Sequence, residues 1–389
     1  MSATAAIRPA DAQDLCALVA DAAQKGTPLE VRAGGTLREV GAPGRETTLV
    51  DLSLLRGVVD YEPRELVLTV RPATPLRELE VLLQGHDQML AFEPFDLSPI
   101  FGNPRGSATI GGVVAAAIAG PRRVSAGAGR DHLLGFAALS GRGEMFKAGG
   151  KVVKNVTGYD VAKIMAGSWG QLAVLTELTL KVVPRPHSAA TIALCGLSPA
   201  AAINAMAAAM GSPFAVAAAA HIPAECECGM AGMTGLRLEG FRESVGARVA
   251  RLRERLADFG NTACMTDDAG QTFWSAIRDA EPMHGAETVW RAHIAPSRAA
   301  ELANALSGSG IRWLFDWAGA LVWAGAPATT DVRAIVETLG GHATLLRAPP
   351  EVRKTHPARH PEPPGVTALC ARLKQAFDPA HILDPARFT

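Results

Sequence analysis

Short apolar runs broken by polar turns dominate the first half of the chain, and only a few stretches carry helical spacing. Asp11 stands just ahead of a stripe formed by Leu15, Leu18, Val19 and Ala22, and Gly26 follows it. That is the pattern of a capped helix with one face turned to a core. Leu29-Glu30-Val31 reads as a strand running into Arg32-Ala33-Gly34-Gly35-Thr36, with further strands expected at 47–52, 58–61 and 66–70. At Pro75 the period changes: Thr74 and Pro75 read as cap and first helical residue, Leu76, Leu79 and Leu83 line one face, and Gly85 closes the helix. Two glycine-dense stretches, 102–129 and 141–150, lead to the string KNVTGYD at 154–160 and a glycine-punctuated strand unit at 166–186.

Pro184 and Pro186 mark a boundary, because proline donates no hydrogen bond to a central sheet and stiffens a linker. Beyond them alanine-rich helices alternate with short strands such as 236–239 and 313–315. Residues 200–220 carry no charge over 21 positions, long enough to cross a bilayer, but they are mostly alanine and are interrupted by Gly211-Ser212-Pro213. A helix followed by a buried strand is the more economical reading. The proline- and histidine-rich stretch 349–364 reads as loop and 377–388 as a tail. These signals divide the chain into 1–186, 187–348 and 349–389, with an α+β character throughout.

A chain of 389 residues predicts two cores. Lys plus Arg and Asp plus Glu both number 38, so no net field gathers nucleic acid or an anionic membrane surface. The six cysteines (Cys16, Cys195, Cys226, Cys228, Cys264 and Cys370) contain no C-x-x-C pair, which argues against an iron–sulfur cluster or zinc knuckle in this chain. Cys226 and Cys228 read as two thiols in a loop or strand rather than a redox pair. The N-terminus lacks the pattern of a signal peptide, and a reducing cytoplasm is the expected setting.

No glycine motif here has both the spacing and the strand-to-helix context of a Rossmann fingerprint, and there is no Walker lysine. A pyrophosphate can instead be held by consecutive backbone N–H groups in turns that glycine tolerates. Gly34-Gly35-Thr36 and the segment Gly106 to Gly112 (GSATIGG) both qualify, although either alone is more often an ordinary turn.

Taken in order, the RAGGT turn, GSATIGG, KNVTGYD and GSWGQLAVLTE resemble the FAD-binding domain of the PCMH-type family that includes vanillyl-alcohol oxidase and bacterial D-lactate dehydrogenases. Within it, the chain is similar nearly end to end to the FAD-binding subunits of bacterial glycolate oxidases, through 79–94, GPRR at 120–123, GRD at 129–131, 154–170, RLEG at 237–240 and FDPAHILDPARF at 377–388. The resemblance implies a two-subdomain FAD-binding domain over 1–186, a smaller α+β cap with an antiparallel sheet over 187–348, and a tail over 349–389 returning to the first domain. It implies that Gly34, Gly35 and Thr36 cradle the pyrophosphate while Arg32 braces the loop, and that Gly106, Thr109, Gly111 and Gly112 complete the cage. It places Asn155, Thr157, Gly158, Tyr159 and Asp160 near the flavin and the Val174 backbone near the adenine. Tyr159 read alone is equally a core tyrosine. His86 and His132 do not sit where a covalent tether is expected, so non-covalent FAD is implied, and His132 reads as a packing or surface residue.

The resemblance points to hydride removal from a small 2-hydroxy acid such as glycolate, yet the histidine-rich motif that related dehydrogenases carry in the cap is missing here. His356 and His360 have helical spacing, but Pro357 interrupts it; His284 and His293 stand alone and read as structural. Arg237 and Arg291 are the candidates for a substrate carboxylate, with a surface ion pair such as Arg237–Glu239 as the alternative. Two readings remain: a chain that oxidises the hydroxy acid on its own FAD, or a flavin-carrying or structural subunit of a larger assembly; a fold that has lost FAD is a third. No metal is expected. The implied partners are a larger catalytic flavoprotein subunit and an iron–sulfur subunit, in a cytoplasmic complex peripheral to the inner membrane through those partners and with no span of its own.

Overall fold

The computed structural model describes residues 6–43, 46–151, 159–224, 230, 232–383 and 387–388. Its first helix is Ala12–Lys25; the Asp11 carboxylate accepts from the amides of Gln13 and Asp14, and Gly26 leaves the helix in the left-handed region at φ 63°. Of the stripe predicted from spacing, Leu15, Val19 and Ala22 are buried and Leu18 half-buried, and the three join Leu29, Val50 and Leu139 in an N-terminal core. Leu29–Arg32 pairs in parallel with Thr48–Asp51. The second helix, Leu76–Gln84, buries Leu76, Leu79 and Leu83, but Pro75 rather than Thr74 occupies its cap position. The Thr74 hydroxyl has nearer partners in the preceding turn, donating to the Arg71 carbonyl at 2.7 Å and accepting from the Gly57 amide at 2.9 Å.

Two antiparallel sheets carry the architecture. One has five strands in the order Val58–Glu62, Val67–Val70, Ala173–Lys181, Leu133–Ser140 and Met145–Gly149. The other has eight, in the order Thr262–Cys264, Ser188–Cys195, Met233–Gly240, Val216–Ile222, Arg312–Asp316, Leu321–Ala326, Thr288–His293 and His342–Arg347. Residues 200–220 form the helix Pro199–Met210 and the fully buried strand Val216–Ile222. Among the described residues no helix is long and apolar enough to cross a membrane.

The outer face of the eight-stranded sheet, including Trp290, Phe315 and Val322, packs on helices such as Pro296–Gly308 and Val332–Glu337. Its inner face, including Ala218, Ala220, Leu314, Leu321 and Trp323, merges with Leu68, Phe92 and Phe136 of the first half. The described residues therefore form three apolar clusters rather than two, and the largest is shared by both sheets. A sheet with two apolar faces must cover both.

The stretch 349–364 departs from the predicted loop. Pro350–Thr355 is a short helix and Pro364–Phe377 a longer one, each beginning on a proline whose fixed φ suits the first helical position. The tail then returns beneath the first half. Asp378, fully buried, accepts from the amides of Ile382 and Leu383 and from Lys374 Nζ. Ile382 in turn accepts from the Leu29 amide at 2.7 Å.

Candidate functional site

The strand Leu29–Arg32 delivers the chain into the turn at 33–36. Gly35 sits at φ 73°, a backbone region open to glycine at little cost. Gly34 is needed for another reason: a Cβ there would lie 1.7 Å from the Ser107 carbonyl oxygen, so the two glycine turns touch backbone to backbone. The amides of Gly34, Gly35 and Thr36 make no hydrogen bond among the described residues. Three successive free donors at the end of a strand form an anion-binding concavity.

In the second turn most of the amides have partners within the fold. Gly106 and Ala108 donate to Asp96 Oδ2 at 2.8 and 3.3 Å, Ile110 to the Thr74 carbonyl at 3.0 Å, and Gly111 to the Pro72 carbonyl at 2.9 Å. Gly112 donates to the hydroxyl of Thr109, which caps the short helix Ile110–Ala115. These five amides are committed inside the fold, whereas those of Ser107 and Thr109 make no hydrogen bond among the described residues, so GSATIGG is a close-packed wall that keeps two free donors. Gly106 faces a separate polar cavity with Arg77, Asp96, Arg105 and Asp279.

An open cleft with an internal volume of about 150 Å³ runs from the first turn. Arg32, Gly34, Gly35 and Thr36 line it with Thr109, Gly111, Gly112 and Val174, and its apolar walls include Leu52, Ala115, Ala116, Trp169 and Phe388. Trp169 lies in a turn where Gly167, Trp169 and Gly170 all have positive φ (87°, 56° and 74°), pinned by its own amide donating to the Ala115 carbonyl at 2.8 Å. Its ring meets Phe388 at 4.9 Å. The neighbouring Arg387 caps the carbonyls of Leu37 and Val40. Below the turn, burial pushes the Asp51 carboxyl up, and hydrogen bonds from Ser53 with the charges of Arg32 and Arg8 more than reverse this, leaving it below the usual carboxylate range. Free amides at one point and flat apolar walls beyond them fit a dinucleotide with a diphosphate and aromatic rings.

Tyr159 and Asp160 are exposed and outside the cleft lining; Asp160 lies 3.5 Å from Lys163. Asn155, Thr157 and Gly158 lie outside the described residues, as do Cys226 and Cys228. His132 is buried against Phe92 with Nε2 2.9 Å from the Ala126 carbonyl, a packing residue as read.

The roof is the inner face of the eight-stranded sheet. Its register places Arg237, Asp316, Arg291 and His293 on that face. Arg237 meets Glu93 at 2.8 Å and Glu239 at 3.3 Å, while Arg122 meets Glu93 at 3.2 Å and Glu239 at 2.7 Å. Two positive and two negative side chains thus close a ring between the halves. Arg237 also lies over Trp274 at 4.7 Å. This ring spends Arg237 on carboxylates of the protein, the ion-pair alternative to a substrate role, with Glu93 as the partner that spacing did not reveal.

Arg291 differs. Its Nε is buried without a hydrogen-bond partner, and its guanidinium lies over Trp317 and Trp323 at 5.6 and 5.4 Å. Burial lowers its pKa to about 10, with Arg123 adding to the shift and Asp316 opposing it. His293, two residues on, is pushed down to about 2 by burial and by Arg291, His342 and Arg123, so it stays neutral.

Burial raises Asp316 to about 7 against the single amide bond from Trp317. The folded form therefore holds a proton that the unfolded chain releases near 3.8, and stability is lost as pH rises from about 4 through 7. Asp316→Asn is expected to match the protein at pH 4 and to exceed it at pH 8 by on the order of 2 kcal/mol, less than the full ~1.4 kcal/mol per unit because buried sites relax. Urea titrations at the two pH values check this; equal differences at both would refute it.

The fold and cleft define a two-part FAD-binding flavoprotein. A family model described as FAD binding domain matches residues 3–149. The glycolate oxidase subunit GlcE of Escherichia coli (strain K12) is 34% identical over 371 residues, covering 93% of this chain and 92% of that one. The chain belongs to the family of that subunit, FAD-linked oxidoreductases of the PCMH type. A D-lactate dehydrogenase of Archaeoglobus fulgidus is 26% identical over 188 residues, 48% of this chain and 40% of that protein. Among solved structures, p-cresol methylhydroxylase with substrate bound superposes with a TM-score of 0.70 at 14% identity, over 98% of this chain and 88% of that one. An alkyldihydroxyacetonephosphate synthase also gives 0.70, at 16% identity over 97% and 76%.

Trp169, Arg387 and Phe388 were missed as cleft residues from sequence, although the strings GSWG and FDPAHILDPARF that carry them stood out. Arg123 and Trp317 were missed as well; GPRR was their only trace.

Proposed function

We propose that this chain is the FAD-binding subunit of a glycolate-oxidising complex, in which a small 2-hydroxy acid becomes the 2-oxo acid and electrons pass to partner subunits. The observation that carries the reading is the run of free amides at Gly34, Gly35 and Thr36 opening on a cleft walled by Trp169 and Phe388. FAD, when bound, supplies hydride acceptance from the carbon bearing the hydroxyl. The chain's residues would hold it: the amides at 34–36 on the diphosphate, Val174, Trp169 and Phe388 along the rings. Among the described residues lining the cleft there is no histidine or cysteine, which supports non-covalent attachment. The reduced flavin needs an outlet, and the family relationship supports a larger flavoprotein and an iron–sulfur subunit as partners, in the cytoplasm.

The closed ring of Arg122, Glu93, Arg237 and Glu239 favours a second reading, a flavin carrier without turnover of its own, since it removes Arg237 from substrate binding. Purified protein is expected to be yellow, with flavin released by acid or heat; colourless protein that FAD does not reconstitute would overturn both readings. Anaerobic glycolate separates them, because only a chain with its own turnover bleaches in isolation.

A further inference from the structure

Four arginines lie near the seam, Arg122 and Arg123 from the first half and Arg237 and Arg291 from the roof, and their charge balance is uneven. Arg122 and Arg237 each have two carboxylate partners within 4 Å. The side chains of Arg123 and Arg291 make no ion pair and no hydrogen bond among the described residues. Both lie against one indole, that of Trp317, at 4.6 and 5.6 Å. Asp316 lies across the intervening strand Leu321–Ala326, in register with His293, and accepts from the Trp317 amide at 2.7 Å.

Trp317 is held at a conformational cost. Trp317, Ala318 and Gly319 are all left-handed (φ 50°, 54° and 92°), and the indole Nε1 donates to the Gly120 carbonyl at 3.0 Å across the seam. Two non-glycine residues in that region cost of order 1 kcal/mol or more each, so the surrounding fold must fix them there. On the strand Thr288–His293 every residue is buried except Arg291 and His293, and both are on the inner face. Arg123 is likewise only partly buried. Gly120 is only four residues past Ala116, a wall of the cofactor cleft.

We infer that Arg123, from the first half, and Arg291, from the roof, form a two-arginine receptor for the carboxylate of a small monocarboxylic acid, with Trp317 as its rigid floor. The inference rests on the hydroxy-acid reading above and assigns the carboxylate contact to these two residues. Arginine's planar fork matches a carboxylate. His293, neutral beside Arg291 on the same face, would accept from a neighbouring hydroxyl.

The test titrates the full chain with glycolate and with acetate, following tryptophan fluorescence and, in flavin-loaded protein, the visible spectrum. A saturable response is expected in both channels, weakened by roughly tenfold or more in Arg123→Gln and Arg291→Gln at unchanged flavin content, and partly restored in Arg123→Lys. Arg123 lies at the accessible edge of the site, so its variants decide the matter even where Arg291→Gln fails to fold. Wild-type affinity in Arg123→Gln, or inorganic phosphate binding as tightly as glycolate, would overturn the receptor. So would a wild-type chain that carries flavin yet gives no response to either acid. Failure of the flavin reading is seen separately, as colourless protein, and the fluorescence titration does not need flavin.

Discussion

Alanine at Gly34 is expected to abolish flavin retention and to destabilise the protein by on the order of 3 kcal/mol. The added methyl would lie 1.7 Å from the Ser107 oxygen and 3.2 Å from Thr109 Cγ2, and backbone cannot swing aside as a side chain can. The turns must part, and the free amides at 34–36 then leave the wall against which a cofactor would be pressed. Alanine at Gly35 is the control. Its Cβ would meet nothing nearer than Arg32 Cδ at 3.8 Å, so only the φ of 73° is penalised, about 1 kcal/mol. Thermal denaturation with flavin quantitation separates crowding from conformational preference; equal losses at the two positions would refute the contact between the turns.

Glu93→Gln is expected to cost about 3 kcal/mol, because it leaves Arg237 and Arg122 to share Glu239 in a buried setting. Burial raises the Glu93 carboxyl, but Arg237 and Arg122 outweigh it and hold the group below its ordinary 4.5. A depressed carboxyl contributes stability above its unfolded value that is lost as pH falls through the folded one. The gap between wild type and variant should therefore be full at pH 7 and shrink below about 4.5. Denaturant midpoints across that range measure it, and a gap that stays constant down to pH 3 would show that packing, not charge, sets the loss.

Local signals were legible where local physics decides. Asp11 and Gly26 bound the first helix as their chemistry requires, and the change of period at Pro75 placed Leu76, Leu79 and Leu83 on a buried face. The glycine turns were visible, but not which of their amides were free: in GSATIGG that depends on Asp96, Thr74 and Pro72, partners that only the folded chain brings there. The roof was least legible. Arg237 and Glu239 are neighbours on one strand, whereas Glu93 and Arg122 lie far away in sequence, and a ring closed across 144 positions leaves no periodic trace. Arg123 and Trp317 meet over a still longer separation, and Trp317 owes its position to a left-handed backbone that no propensity would assign to tryptophan. The helices at 350–355 and 364–377 were hidden by prolines, which signal a break in mid-helix and a beginning at its first turn.

The ring at the seam also constrains how this protein changes over generations. A mutation at any one of Arg122, Glu93, Arg237 or Glu239 strands a charge in the interior, so a lineage that loses one member is under pressure to lose or exchange its partner soon after. Divergent relatives should accordingly vary at these sites in pairs, Glu93 with Arg237 and Arg122 with Glu239, and pairs swapped wholesale for apolar residues would be as stable as the ions they displaced.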